Sequence, residues 1–350
     1  SWDALHLPEI SKEKFEFEDG YSKVFSEMTP ADEAEAAMKE STELGKTFAK
    51  LNWMKAGFMS ADKNLTVSPN YAEEVVGDAS KGVELDGVIA ASGGIEGIVN
   101  GMDNQDFNPI TDKYLPVKYG PASVMEGKQA AKQALQAEVG LEVDPEAPVI
   151  GFIGRLEEQK GVDILLAAIP EIVERAPNCQ IVILGTGKKK FEKMVKALDL
   201  PNVIGVVKFS LPLAHHIFAG SDFMAIPSRF EPCGLIQLQA MSYGSVPIVS
   251  STGGLVDTVK EGVTGFHIGA LDADALTEAD ASAVAATVVR AVESYGTEQY
   301  AQMSKKCIGQ DLSWAEPAKK WEAMIEEMKS PASTDATIKK ASVETPVVKV

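Results

Sequence analysis

Cysteine and histidine are scarce in this sequence. Three cysteines, Cys179, Cys233 and Cys307, and four histidines are spread over 350 residues, with no Cys-x-x-Cys pair. A disulfide framework or a structural zinc site is therefore not expected. Positive charge is also in deficit, 33 Lys and Arg against 51 Asp and Glu, a net of −18. Nucleic acid and anionic membrane surfaces both attract a positive field, so neither is an expected partner. A polyanionic substrate would need a local basic pocket in an acidic surface. Long apolar runs are missing as well. Nothing approaches the roughly eighteen residues of a membrane-spanning helix. The chain begins Ser1-Trp2-Asp3, without an initiator Met or a charged-then-apolar leader, so no targeting signal and a processed or partial chain are the expectations.

What is present is ordinary: 45% hydrophobic and 24% charged residues, as in a globular protein. The length favours two domains over one. The expected division is 1–145, 146–315, a helix over 316–329 and a disordered tail over 330–350, where Ser, Thr, Ala, Pro and Lys dominate without periodicity. Residues 146–315 alternate short apolar runs with helical stretches, the pattern of a doubly wound parallel sheet. Strands are expected at Val149–Ile153, Gln180–Leu184, Val203–Val207, Phe223–Ile226, Val246–Val249 and Gly265–Ile268. Helices are expected over 162–174, 191–198, 213–219, 235–243, 255–261, 284–294 and 317–328. Residues 1–145 are less regular. A strand, a helix and a strand at 65–68, 69–76 and 95–100 do not make a core, and 29–50 reads as an acidic, Ala-rich surface helix.

Three loops follow strands of the later domain, where ligands sit in open α/β sheets. The first is Gly154-Arg155-Leu156-Glu157-Glu158-Gln159-Lys160-Gly161. Its Arg offers a planar fork, its Lys a point charge and the following helix its free N–H groups, a set that suits a diphosphate. Surface pairing of Glu157, Glu158 and Lys160 explains the same string equally well. The second is Ser228-Arg229-Phe230-Glu231-Pro232-Cys233-Gly234-Leu235. Glu231 could hold sugar hydroxyls or face developing positive charge. The local pattern taken alone favours Glu231 as a cap for the helix beginning near Gly234, and Cys233 as a packed thiol. The third is Ser251-Thr252-Gly253-Gly254-Leu255, whose paired glycines permit close backbone approach. Gly185-Thr-Gly-Lys-Lys-Lys190 only mimics a phosphate-binding P-loop, because the first glycine and the Ser or Thr are missing. It reads as a basic turn entering a helix. His215 and His216 are adjacent, point to different faces, and do not make a metal pair.

Together the strings 154–161, 228–239 and 251–258 resemble those of bacterial glycogen synthases and plant and algal starch synthases. Ile236, the 185–190 run, Leu213-Ala-His-His-Ile217 and Gln310-Asp-Leu-Ser-Trp314 resemble the granule-bound starch synthases in particular. So do Asn52-Trp-Met-Lys-Ala-Gly57, Thr66-Val-Ser-Pro-Asn-Tyr-Ala-Glu-Glu74 and Gly97-Ile-Val-Asn-Gly-Met-Asp103. The resemblance implies a GT-B fold, two Rossmann-like domains facing a cleft, with the first incomplete and the 316–329 helix crossing back. It implies a retaining glucosyltransferase that moves glucose from ADP-glucose to the non-reducing end of an α-1,4-glucan, with no metal or cofactor. Arg155 and Lys160 would hold the ADP diphosphate, Glu231 and Asn100 the glucosyl ring, and Thr252, Gly253 and Gly254 the sugar and phosphate. Lys208 and Gln239 would lie at the nucleotide end. Plastid localisation at the starch granule is implied likewise.

Departures from the family set further expectations. A Lys-Thr-Gly-Gly-Leu loop that touches ADP-glucose in relatives does not precede Asn100, so the chain is expected to be a fragment and inactive alone. Residues 29–50 look like an insertion. Val83 stands where relatives often carry Cys, so their inter-domain disulfide is not expected. The alternatives are a soluble starch or glycogen synthase, or a non-catalytic glucan- or nucleotide-binding remnant.

Overall fold

A computed structural model describes residues 52–329. The 29–50 helix and the 330–350 tail lie outside the described residues. The chain order begins α1 (Trp53–Ser60), β1 (Leu65–Thr66), α2 (Pro69–Gly77), α3 (Ala79–Gly82), α4 (Asp86–Ala91) and β2 (Glu96–Gly97). It continues α5 (Val124–Val139), β3 (Val149–Ile153), α6 (Val162–Arg175), β4 (Gln180–Leu184), α7 (Lys189–Lys196), β5 (Val203–Val206), α8 (Leu211–Gly220) and β6 (Phe223–Ile226). It closes with α9 (Ile236–Ser242), β7 (Val246–Ser250), α10 (Gly254–Thr258), β8 (Phe266–Gly269), α11 (Glu278–Ser294), α12 (Glu298–Ile308) and α13 (Ala315–Lys329).

The chain divides into two compact units. Among the described residues, the smaller takes in 52–64 together with Val75–Ile95, and the larger takes in Leu65–Glu74 and 96–329. This division differs from the expected boundary at 145/146. In the smaller unit, among the described residues, the Asn64 carboxamide donates to the Ser92 hydroxyl at 2.9 Å and to the Phe58 carbonyl at 3.3 Å.

The larger unit is built on a six-stranded sheet of order β5-β4-β3-β6-β7-β8, with every neighbouring pair parallel. Alternation along the strands sorts the side chains to two faces. Ile150, Phe152, Ile181, Ile183, Phe223 and Ile248 join α6 and α11 in one core. Val149, Val182, Leu184 and Met224 join α5, α8 and α9 in the other. Both faces being covered explains why the strands read as unbroken apolar runs. The expected strands and helices of this sheet all occur, most within two residues of their predicted ends.

Helix α5 was not foreseen in the sequence, and its reason is visible. Its buried stripe includes Lys128, Lys132 and Gln136, spaced four apart, where a periodic apolar face would be sought. The Lys128 ammonium donates to the carbonyls of Ala219 and Ser221 and to the Ser245 hydroxyl, all within 2.9 Å. Lys132 pairs with Asp222 at 2.6 Å, and Asp222 also accepts from the Val149 amide and the Tyr300 hydroxyl. Polar groups thus fasten this helix to the strand ends opposite the candidate site. Helix α11 begins six residues before the expected start, because its first turn is polar and Thr277 caps it by accepting from the Asp280 amide.

Candidate functional site

In this strand order the chain reverses its direction of travel across the sheet between β3 and β6. A crevice opens at such a switch point, beyond the carboxyl ends of the strands. The first two loops leave from those two strands. Loop 154–161 closes through a short 3₁₀ turn, Glu158–Lys160, and then Gly161 at φ +66°. A Cβ on Gly161 would lie 1.8 Å from the Pro227 carbonyl oxygen, so glycine is what lets the two loops touch.

Across the crevice the Lys160 ammonium meets the Glu231 carboxylate at 2.6 Å. Glu231 is 7% exposed and accepts a second hydrogen bond, 3.0 Å, from the Ser228 hydroxyl. The capping expectation for Glu231 is overturned: α9 begins at Ile236 after Leu235, with no side-chain cap, and the carboxylate is committed to Lys160 and Ser228. Surface pairing does hold for part of the first loop. Arg155 pairs with Glu157 at 2.8 Å with its side chain 69% exposed, and Glu158 pairs with Lys188 at 2.6 Å and with Lys190. Those two lysines hold the Glu158 carboxyl down at about 2. The 185–190 run is therefore a basic turn tied to the first loop, and its Gly187 amide donates to Glu192 at 3.1 Å.

Arg155 and Lys208 line one cavity of about 220 Å³ with Gly154, Gly185, Thr186 and Phe209 at the ends of β3, β4 and β5. Lys160 and Glu231 sit together at the switch point. The third loop packs on the second: the Gly254 amide donates to the Glu231 carbonyl at 3.0 Å. A Cβ on Gly253, whose φ is +46°, would meet that same carbonyl oxygen at 2.1 Å. Asn100 lies near the Cys233 thiol, beside Glu231's loop. Burial raises the Cys233 thiol, as befits a packed side chain rather than a nucleophile. Gln239 lies half-buried on α9, with no side-chain hydrogen bond among the described residues. His215 turns inward to Asp112 at 2.7 Å, while His216 faces Glu138 at the surface.

Two sets of residues were missed. Arg229 is 6% exposed and grips Asp163 through both guanidinium nitrogens, at 2.8 and 2.9 Å. It also donates to the Glu158 carbonyl at 2.6 Å, and its amide donates to the Gln159 carbonyl at 2.9 Å. The second loop thereby holds the backbone on which Lys160 stands. The other set is Ser68, Asn70 and Glu74, which hydrogen-bond to the third loop and to Asp257 on the helix α10 that follows it. Arg229 lay inside a motif already singled out. Its partner, and those of Ser68 and Glu74, lie tens to hundreds of residues away and leave no local signal.

A doubly wound domain carrying cations and a buried carboxylate on the switch-point loops is that of a GT-B glycosyltransferase. The family model described as glycosyl transferases group 1 matches residues 136–296, and that described as the starch synthase catalytic domain matches residues 3–91. The chain is 52% identical over 338 residues to granule-bound starch synthase 1 of Manihot esculenta, covering 95% of this chain and 52% of that protein. It is 52% identical over 326 residues to the namesake from Solanum tuberosum, covering 92% and 50%. Among solved structures, the catalytic domain of starch synthase IV from Arabidopsis thaliana, bound to ADP and acarbose, superposes with a TM-score of 0.70 at 31% identity. That match covers 79% of this chain and 58% of the other. A sucrose-phosphate synthase from Thermosynechococcus elongatus shares the fold at a TM-score of 0.55 and 20% identity. The chain is thus similar to starch synthases over nearly all of its length. It spans about half the length of the curated relatives it matches.

Proposed function

We propose that this chain carries the donor-binding half of a retaining glucosyltransferase that moves glucose from ADP-glucose to the non-reducing end of an α-1,4-glucan. The observation that supports this most is the meeting of Lys160 and Glu231 at the switch point, next to the cavity lined by Arg155 and Lys208. In the reaction the bond from the glucosyl C1 to the β-phosphate oxygen breaks, and a bond from C1 to the acceptor 4-hydroxyl oxygen forms. The hydroxyl proton leaves with the departing diphosphate. Negative charge therefore grows on that diphosphate, and fixed cations stabilise it best when already oriented.

Lys160 is fixed in this way. Its ammonium keeps donors for phosphate while one is held by Glu231, and Arg155 is exposed with a fork available to swing in. Glu231, on the sugar side of Lys160, would receive glucosyl hydroxyls. These side chains supply the positive charge that a divalent metal supplies in other nucleotide-sugar enzymes, so we assign the reaction no metal. The relatives' names, granule-bound and chloroplastic or amyloplastic, support a plastid protein at the starch granule. No helix among the described residues is long and apolar enough to cross a membrane.

The test is calorimetric titration of this chain with ADP, together with transfer of radiolabelled glucose from ADP-glucose to amylopectin by the full-length protein that carries it. Lys160→Ala is expected to lower transfer by about 10²–10³, the scale for losing one charge-stabilising donor. A folded protein that fails to bind ADP would sink the proposal. ADP binding without any transfer would favour a nucleotide-binding module instead.

A further inference from the structure

The string Thr66-Val-Ser-Pro-Asn-Tyr-Ala-Glu-Glu74 has no part in the chemistry described so far, yet it makes a dense set of contacts to the donor-side loops. The Glu74 carboxylate accepts from the Gly253 amide at 3.0 Å and from the Thr252 hydroxyl at 3.2 Å. The Asn70 carboxamide donates to Glu74 at 3.1 Å and to the Gly253 carbonyl at 3.3 Å. Both polar groups of Gly253 are thus gripped from one helix turn. The Ser68 hydroxyl, fully buried, donates to Asp257 at 2.5 Å, and the Asn70 amide donates to the same carboxylate at 3.3 Å. Tyr71 meets Phe230 of the second loop edge-on, with ring centres 5.2 Å apart.

Gly253 is where this grip matters. At φ +46° and ψ −135° it is in a conformation open only to glycine, and flexible chain does not hold such a geometry unaided. Its neighbour's amide holds the Glu231 carbonyl. Rotation of the Gly253 peptide would therefore displace Glu231 as well as the loop itself.

We infer that Glu74, seconded by Asn70, is a positioning residue that fixes the Gly253 peptide and, through it, the donor loop and the backbone of Glu231. The inference rests on the glucosyltransferase reading, because what is positioned is the binding site for the nucleotide sugar. Glu74 acts through the Gly253 peptide and the Thr252 hydroxyl that it holds. A carboxylate suits the task because it takes an amide, a hydroxyl and a carboxamide donor at once, which a glutamine does only in part.

Two measurements on Glu74→Ala and Glu74→Gln test this. In amide hydrogen exchange, the Gly253 amide should exchange at least about tenfold faster in Glu74→Ala, with the β7 amides unchanged. In transfer assays, Glu74→Ala should raise KM for ADP-glucose by about tenfold or more with a smaller loss in kcat, and Glu74→Gln should recover most of it. Unaltered exchange at Gly253 would overturn the inference whatever the donor proves to be. Tighter ADP binding by Glu74→Ala would overturn it too, by showing a carboxylate that blocks the site. Failure of the unsubstituted protein to bind ADP would instead sink the transferase reading, with the exchange experiment still judging the contact.

Discussion

Arg229 illustrates how much of the site is held by buried contacts within the protein. Its guanidinium is buried, makes a two-pronged contact with Asp163 and clasps the Glu158 carbonyl two residues before Lys160. Removing one member of a buried ion pair strands the other, at a cost of about 3–5 kcal/mol. Arg229→Ala is therefore expected to lower the urea midpoint substantially. Arg229→Lys, which keeps charge but loses the planar fork, should cost less in stability yet still weaken ADP binding, since the Lys160 turn loses its anchor. Calorimetry on both variants checks this, and ADP affinity unchanged in Arg229→Lys would contradict it.

At the scale of elements, α5 is bound to the sheet by lysines in place of a purely apolar face. Lys128 is buried, and burial brings its ammonium down to about 7 against the opposing pull of Asp222. Lysine in an unfolded chain titrates near about 10.4. Between those values the unfolded state binds more protons than the native state, so stability rises with pH across that window and falls as pH drops to about 7. Urea unfolding at pH 7 and 9 should show the native protein gaining on Lys128→Met at the higher pH. Equal pH slopes in the two proteins would remove Lys128 from this account. The same element shows why part of the fold was hidden in the sequence. The strands of the sheet announce themselves because both faces are apolar, whereas α5 presents Lys128, Lys132 and Gln136 to the interior. The carbonyls and carboxylate that receive the two lysines come chiefly from residues about ninety positions later, and Gln136 donates to Asp144 and Gln180; these partners make that burial affordable.

Across the whole molecule the charge is −18. An acidic surface repels itself, and salt screens that repulsion over a Debye length of about 10 Å at 0.1 M. Raising sodium chloride from about 20 to about 200 mM should therefore increase the urea midpoint of the native protein. A fall would mean that local ion pairs such as Glu158 with Lys188 and Lys190 outweigh the net repulsion.

The sequence by itself determined the sheet domain, the three glycine-bearing loops that follow its strands and the resemblance to starch synthases, because apolar alternation, glycine placement and motif strings are local properties of the chain. It also placed Lys160 and Glu231 on the loops that follow β3 and β6, though the local pattern assigned Glu231 to a helix cap. Only the tertiary structure decided that these two side chains meet, since the strand order that sets β3 beside β6 brings together residues 71 positions apart. Only it showed Asp163 under Arg229 and Glu74 on Gly253. Hydrogen bonds between distant residues are fixed by the path of the backbone in space, and composition and periodicity carry no record of that path.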